Sequence, residues 1–164
     1  MCGVFGYTGK KVANNLVFDG LKRLEYRGYD SWGIAVNSKE KITIFKTVGE
    51  IKSDKGLKKL PQSTTAIGHT RWATHGGVTV NNAHPHISTD NSFTLVQNGI
   101  VENYDKLKKQ LEKKGYKFTT QTDTEVIVKM VEEQLITTKI FEEAFKKAFA
   151  LLEGRNTVDR KSVV

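Results

Sequence analysis

Met1-Cys2-Gly3-Val4-Phe5-Gly6 opens the chain and puts its single cysteine at the second position. Removal of the initiator methionine, which the small side chain at position 2 favours, would leave a thiol and a free α-amine on one residue. A thiolate is the reactive form of cysteine, and an α-amine with a reference pKa of roughly 7.7–8.0 can act as a base near neutral pH without a histidine. The same residues also read as the start of a buried strand, because free cysteine packs as a small hydrophobe. What the rest of the chain brings to Cys2 decides between the two.

Working outward, Gly3 to Thr8 reads as a short strand. Val12, Leu16, Val17, Leu21 and Leu24 then fall on one helical face that ends before Gly28. Two β-rich runs, Trp32–Val36 and Ile42–Phe45, predict a hairpin across a polar link, and Ile51–Leu60 predicts a short amphipathic helix stopped near Pro61. Thr65 to Gly77 starts as a strand and ends as a loop, and Phe93–Gln97 is a further strand. Asn98-Gly99 is ordinarily a strong hairpin signal. Only Ile100 and Val101 precede the helical pattern of Tyr104 to Lys114, however, so no return strand has room there. Thr122 and Glu125 fit a capping box ahead of a helix Val126–Leu135, and a last helix is expected over Ile140–Leu152. Short antiparallel-type strands flanked by helices argue for an α+β fold.

At 164 residues the chain is about one domain long. A chain of that size buries ~70% of its unfolded surface without metal or disulfide staples. One cysteine excludes an intramolecular disulfide, and the absence of a long apolar run argues for a soluble, cytoplasmic protein with no membrane partner. The net charge of +8 comes mainly from dispersed lysines; the arginines are Arg23, Arg27, Arg71, Arg155 and Arg160. Nucleic-acid surfaces concentrate arginine, so no nucleic-acid partner is expected, and the basic run Lys106–Lys117 reads as the solvated face of a helix.

Four histidines, His69, His75, His84 and His86, fall close together, and His84-Pro85-His86 has a metal-ligand spacing. A metal-dependent hydrolase built on the His69–His86 cluster is therefore the competing reading, weakened by the lack of a nearby carboxylate. Arg71 beside Trp72 suits a carboxylate anchor, or equally an ordinary ion pair or stacking on the indole. Asp123 suits a counter-ion for an ammonium, or simply a favourable charge in the first turn of a helix. Asn98 and the Gly99 N–H offer adjacent donors for an oxyanion, an effect worth ~2.7–4 kcal/mol per donor in acyl transfer. Together these parts suit a small α-amino acid with an amide side chain.

Cys2-Gly3-Val4-Phe5-Gly6, Leu24-Glu25-Tyr26-Arg27-Gly28-Tyr29-Asp30-Ser31, His69-Thr70-Arg71-Trp72-Ala73-Thr74-His75-Gly76, Asn82-Ala83-His84-Pro85-His86, Asn98-Gly99-Ile100 and Thr122-Asp123-Thr124-Glu125-Val126 resemble the class II glutamine amidotransferase domain. The second and third runs resemble most the branch that passes ammonia to fructose-6-phosphate. The resemblance implies the N-terminal nucleophile hydrolase fold, a four-layer αββα sandwich of two antiparallel sheets. It implies hydrolysis of glutamine to glutamate and ammonia, with Cys2 as nucleophile, its α-amine as base, and Asn98 and Gly99 as oxyanion donors. Arg71 is implied as carboxylate anchor and Asp123 as ammonium anchor. Trp72, Thr74, His75 and Gly76 match the loop that closes over glutamine, while Arg27 and His86 match residues near the site, His86 with a structural role. No metal or cofactor is implied, and full-length members are expected to be homo-oligomers.

Two residues depart from the family pattern: Trp32, where a small residue is usual, and Gln97, where a histidine is common. Packing near the site is expected to differ there. After Gly154 the polar run Arg155–Val164 replaces an expected apolar strand. Residues 1–154 are thus expected to be a partial glutaminase domain, 155–164 a divergent tail, and the sugar-isomerase domains that would hold fructose-6-phosphate absent, so that an inactive fragment is a further reading.

Overall fold

The computed structural model describes residues 2–162. Met1 and the last two positions of the 155–164 tail lie outside the described residues. The elements run β1 (Gly3–Thr8), α1 (Ala13–Leu24), β2 (Ser31–Ser38), β3 (Lys41–Val48), β4 (Thr65–Arg71), β5 (His86–Ile87), β6 (Phe93–Gly99), α2 (Tyr104–Lys113), α3 (Asp123–Thr138), α4 (Phe141–Phe149) and β7 (Asn156–Ser162). One antiparallel sheet has the order β1-β4-β2-β3 and the second the order β5-β6-β7.

Alternation along the strands divides the interior into three cores. Trp32, Ile34 and Val36 of β2 point to α1 and pack on Val17, Phe18 and Leu21. Ala35 points the other way and meets Ile42, Ile67 and Val96 between the sheets. Phe93 and Leu95 face the outer helices, where Leu107, Leu111, Val126, Ile127 and Ala144 close the third core. The layers are therefore helix, sheet, sheet, helices: the α+β sandwich expected from the sequence. Leu21 and Ile127 are fully buried, and truncating either to alanine would cost about 2–5 kcal/mol.

Local outcomes differ from the sequence reading in four places. The β2–β3 hairpin is longer than expected, because Lys39 and Glu40 both adopt positive φ, 50° and 60°, and turn the chain in two residues. Ile51–Leu60 does not form an α-helix; its helical part is a 3₁₀ segment, Asp54–Lys59, with Gly56 set against the Phe45 ring. Thr122 is the N-cap of α3 but makes no side-chain cap bond, and Glu125 reaches past it to Thr119 and Thr120. The polar run after Gly154 forms β7, paired with β6 from Phe93↔Ser162 to Gly99↔Asn156. Backbone pairing needs no apolar side chains.

Trp32 lies on the α1 side of its sheet, against Phe18 and Phe45 with ring centroids 5.8 and 5.2 Å away. Its bulk is absorbed in that core, on the face of the sheet turned away from β6.

Candidate active site

Cys2 immediately precedes β1, whose first residue, Gly3, pairs with Thr70 of β4. The nucleophile candidate is therefore level with the end of β4, where Arg71 gives way to Trp72. The Trp72 N–H donates to Cys2 Sγ at 3.3 Å, and the Sγ lies 3.6 Å from the Trp72 carbonyl. The Cys2 carbonyl accepts from Asn98 Nδ2 at 3.1 Å and from Arg27 Nε at 3.4 Å. Burial pushes the thiol pKa up; the Trp72 contact and Arg71 pull the other way. The net rise leaves a neutral thiol at rest, which needs a base before it can attack.

Asn98 and Gly99 are the last two residues of β6. The Asn98-Gly99 pair makes no hairpin, as the short spacing to α2 requires. Gly99 is needed for a different reason: β7 passes so close that a Cβ there would lie 2.8 Å from Asn156 Cα.

The 72–77 loop is held from several sides. Arg71, nearly buried, donates through Nη1 to the Gly77 carbonyl at 3.1 Å and through Nη2 to the His75 carbonyl. Desolvation lowers its pKa, while Cys2, Asp30 and Asp123 act to raise it, which puts these four groups within one electrostatic neighbourhood. Asp30 clamps the root of the loop: its N–H donates to the Arg71 carbonyl at 3.1 Å and its Oδ2 accepts from the Ala73 N–H at 2.7 Å. Gly28 permits this approach, since a Cβ there would lie 2.6 Å from the Arg71 carbonyl carbon. At the far end Gln121 Oε1 accepts from the Gly77 N–H, and Asn82 Nδ2 donates to the Gly77 carbonyl at 2.9 Å. Within the loop, Trp72 is half-exposed and edge-on to Tyr29, Thr74 Oγ1 lies 3.3 Å from His75 Nδ1, and Gly76 has a φ of 74°.

Asp123 begins α3 and is buried; its Oδ2 accepts from the Val101 N–H at 2.9 Å, tying the segment after β6 to the helix. Its charge raises the Cys2 pKa. Beneath this corner His69, His84 and His86 stack, with ring centroids 4.1 and 4.6 Å apart. Each Nε2 is engaged: His69 with the Gln97 carbonyl at 2.8 Å, His84 with Thr124 Oγ1 at 2.6 Å, His86 with Thr122 Oγ1 at 3.0 Å. Burial pushes all three pKa values down, His69 to about 3, and neighbouring charges push the same way on His84 and His86. With His69 stacked on His84, His86 edge-on to it, and each ring engaged at Nε2, the lone pairs are not aimed at a common point. His75 lies elsewhere, 6.2 Å from the Tyr104 ring. Among the described residues no group of three or more His, Cys, Asp or Glu is placed to hold a metal ion.

Residues 53–152 match the glutamine amidotransferase domain family. The chain belongs to that family. It is 48% identical over 158 residues to a glutamine–fructose-6-phosphate aminotransferase [isomerizing] of Pyrococcus horikoshii, and 47% identical over 157 residues to one of Helicobacter pylori. Each match covers 94% of this chain and 26% of the relative, so the chain spans about a quarter of the length of these curated relatives. The glutamine phosphoribosylpyrophosphate amidotransferase of B. subtilis, solved with ADP and GMP, superposes with a TM-score of 0.87 at 30% identity, covering 99% of this chain and 35% of that one. The sandwich is thus the N-terminal nucleophile hydrolase fold of the glutamine amidotransferases. No helix among the described residues is long and apolar enough to cross a membrane.

Of the residues singled out from the sequence, Cys2, Arg27, Asn98 and Trp72 come together in direct contacts, and Arg71 and Asp123 join them electrostatically. His86 belongs to the buried stack. Asp30, Gln121 and Thr124, which hold the loop and the histidines in place, are not among those residues. Asp30 lay inside a quoted motif, where a carboxylate beside a glycine-rich turn is the available signal; nothing local marks Gln121, whose partners are 39 and 44 residues away.

Proposed function

We propose that the chain is a glutaminase, the amide-hydrolysing part of a glutamine–fructose-6-phosphate aminotransferase. The observation that carries the reading is the 3.1 Å contact between Asn98 Nδ2 and the Cys2 carbonyl, which ties the proposed side-chain oxyanion donor to the residue bearing the thiol. With Met1 removed, the Cys2 α-amine takes the thiol proton and Sγ attacks the side-chain carbonyl carbon of glutamine. The oxyanion of the tetrahedral intermediate is stabilised by Asn98 Nδ2 and the Gly99 N–H. Collapse breaks the C–N bond, the nitrogen takes the proton and leaves as ammonia, and water then hydrolyses the thioester to glutamate.

Arg71 binds the α-carboxylate and Asp123 the α-ammonium of glutamine. Because Arg71 also grips the His75 and Gly77 carbonyls, carboxylate binding is coupled to the closure of Trp72, Thr74, His75 and Gly76 over the substrate. Ammonia is then delivered to fructose-6-phosphate bound by further domains of a longer, homo-oligomeric enzyme. A free active-site thiol and a phosphorylated sugar acceptor suit a reducing, cytoplasmic setting.

The test is glutamate release by the purified chain, with its N-terminus determined by intact mass. Turnover should accompany loss of Met1 and disappear in Cys2→Ala. Active material that still carries Met1 would overturn the reading.

A further inference from the structure

On β3, Ile42, Ile44 and Lys46 share the face turned toward the second sheet. The first two pack in the interlayer core. Lys46 extends the row to the rim of the sandwich, away from Cys2. Its stem crosses Gly33 of β2, where a Cβ would lie 3.1 Å from Lys46 Cγ. Its Nζ donates to the Asn81 carbonyl at 3.1 Å. There it lines a cavity of about 570 Å³ whose apolar walls include Ile44, Phe45, Pro85 and Ile87.

The charged and titratable groups facing this amine come from three other elements. Glu125 of α3 and Lys59 of the 3₁₀ segment line the cavity, as does His86, with His84 behind it. Both Glu125 oxygens are taken by the Thr119 and Thr120 N–H and hydroxyl groups. Among the described residues no carboxylate lies within ion-pair distance of Lys46. An ammonium partly withdrawn from water and given only a carbonyl in return is less well stabilised than a free one. Burial accordingly lowers its pKa to about 8, with Glu125 opposing the shift.

We propose that Lys46 is an acylation site, whose amine attacks a small activated acyl group, an acyl phosphate or acyl thioester, seated in this cavity. The Nζ lone pair forms a bond to the acyl carbon, and the C–O bond of the phosphate or the C–S bond of the thioester breaks. Phosphate or thiolate leaves, the nitrogen releases its proton to water, and a neutral amide remains. The apolar walls take the acyl chain, and the product erases a positive charge that faces His84 and His86.

The experiment exposes the purified chain to acetyl phosphate and, separately, to acetyl-coenzyme A, and maps acetylation by peptide mass at low extents across pH. A pKa near 8 against 10.5 leaves roughly three-hundredfold more free amine at neutral pH, partly offset by lower intrinsic nucleophilicity. Lys46 should therefore react about tenfold ahead of the exposed Lys41 and Lys109 near neutral pH, and its rate should level off above about pH 8. The advantage should vanish in denaturant. An advantage with one reagent alone would identify that donor class. Equal reaction at all three lysines, a Lys46 rate still climbing well above pH 8, or an advantage that survives denaturation would overturn the proposal.

Discussion

β4 and β6 each carry closely spaced polar groups that end in opposite surroundings. His69 of β4 and the Gln97 carbonyl of β6 meet in the dry space between the sheets, while Arg71 and Asn98, one or two residues further along, reach the half-open rim beside Cys2. In the stack, three histidines are held neutral by burial, and Nδ1 of His69 and His84 has no partner. At the rim, Arg71 and Asp123 are buried too, but each is anchored by backbone carbonyls or N–H groups. The stack ties β4, β6 and α3 to one another, and the proposed chemistry at the rim depends on that frame. Substitutions at the two places should therefore separate activity from stability.

Cys2→Ala is the largest expected effect. Glutamate release should fall by at least about 10⁴-fold, since loss of a covalent nucleophile leaves only binding and oxyanion stabilisation. The melting curve should hardly move, because a half-exposed thiol with backbone contacts carries little stability, within about 0.5 kcal/mol. Calorimetric binding of glutamine should persist. A large loss of stability would mean that Cys2 belongs to the buried frame, and the contrast would fail.

Acidification probes the other region. The folded pKa of His69 is about 3 against a reference of 6.5, so between those values the unfolded chain binds the extra proton. Stability therefore rises with pH across that window and is lost as pH falls from about 6.5 toward 3. Each histidine kept neutral contributes a slope of about 1.4 kcal/mol per pH unit, and His84 and His86 shift in the same direction. Denaturant titrations at stepped pH should show a steep decline below about pH 6. A flat profile down to pH 4 would mean that the stack is solvated.

Asn98→Ala comes next. Losing one oxyanion donor should lower kcat about 10²–10³-fold, some 2.7–4 kcal/mol of transition-state stabilisation. Stability should drop by only about 1 kcal/mol for the lost bond to the Cys2 carbonyl. A change confined to KM would remove Asn98 from the oxyanion role.

The rim was more legible in the sequence than the stack. Cys2 announces itself by position, and Asn98-Gly99 by a turn signal with no strand to serve. Helical stripes such as Val17 and Leu21 on α1, and the α4 face bearing Ala144 and Ala148, follow from spacing alone. The histidines were visible as a cluster but not as a stack, because their arrangement depends on β4, the loop before β5 and the start of α3 meeting across 36 to 40 residues. The 3₁₀ turn at Asp54–Lys59 escaped for a similar reason: Phe45, on another strand, presses on Gly56. Where sequence-distant contacts override local propensity, pattern reading has nothing to work on.

Glu125 tests the seam between the two regions and carries the smallest expected effect. Its carboxylate was expected to complete a capping box with Thr122, yet it accepts from the Thr119 and Thr120 N–H groups and both their hydroxyls. That leaves Thr122 free to meet His86 and orients the first turn of α3, where Asp123 and Thr124 lie. In Glu125→Gln one acceptor becomes an NH₂ facing donors, a mismatch worth about 1–3 kcal/mol. Stability should fall by that amount, with kcat unchanged and KM for glutamine raised only as far as Asp123 shifts. An equal fall in kcat would show that the frame and the chemistry are not separable at α3, because reorienting the helix start would then be disturbing Asn98 as well as the ammonium anchor.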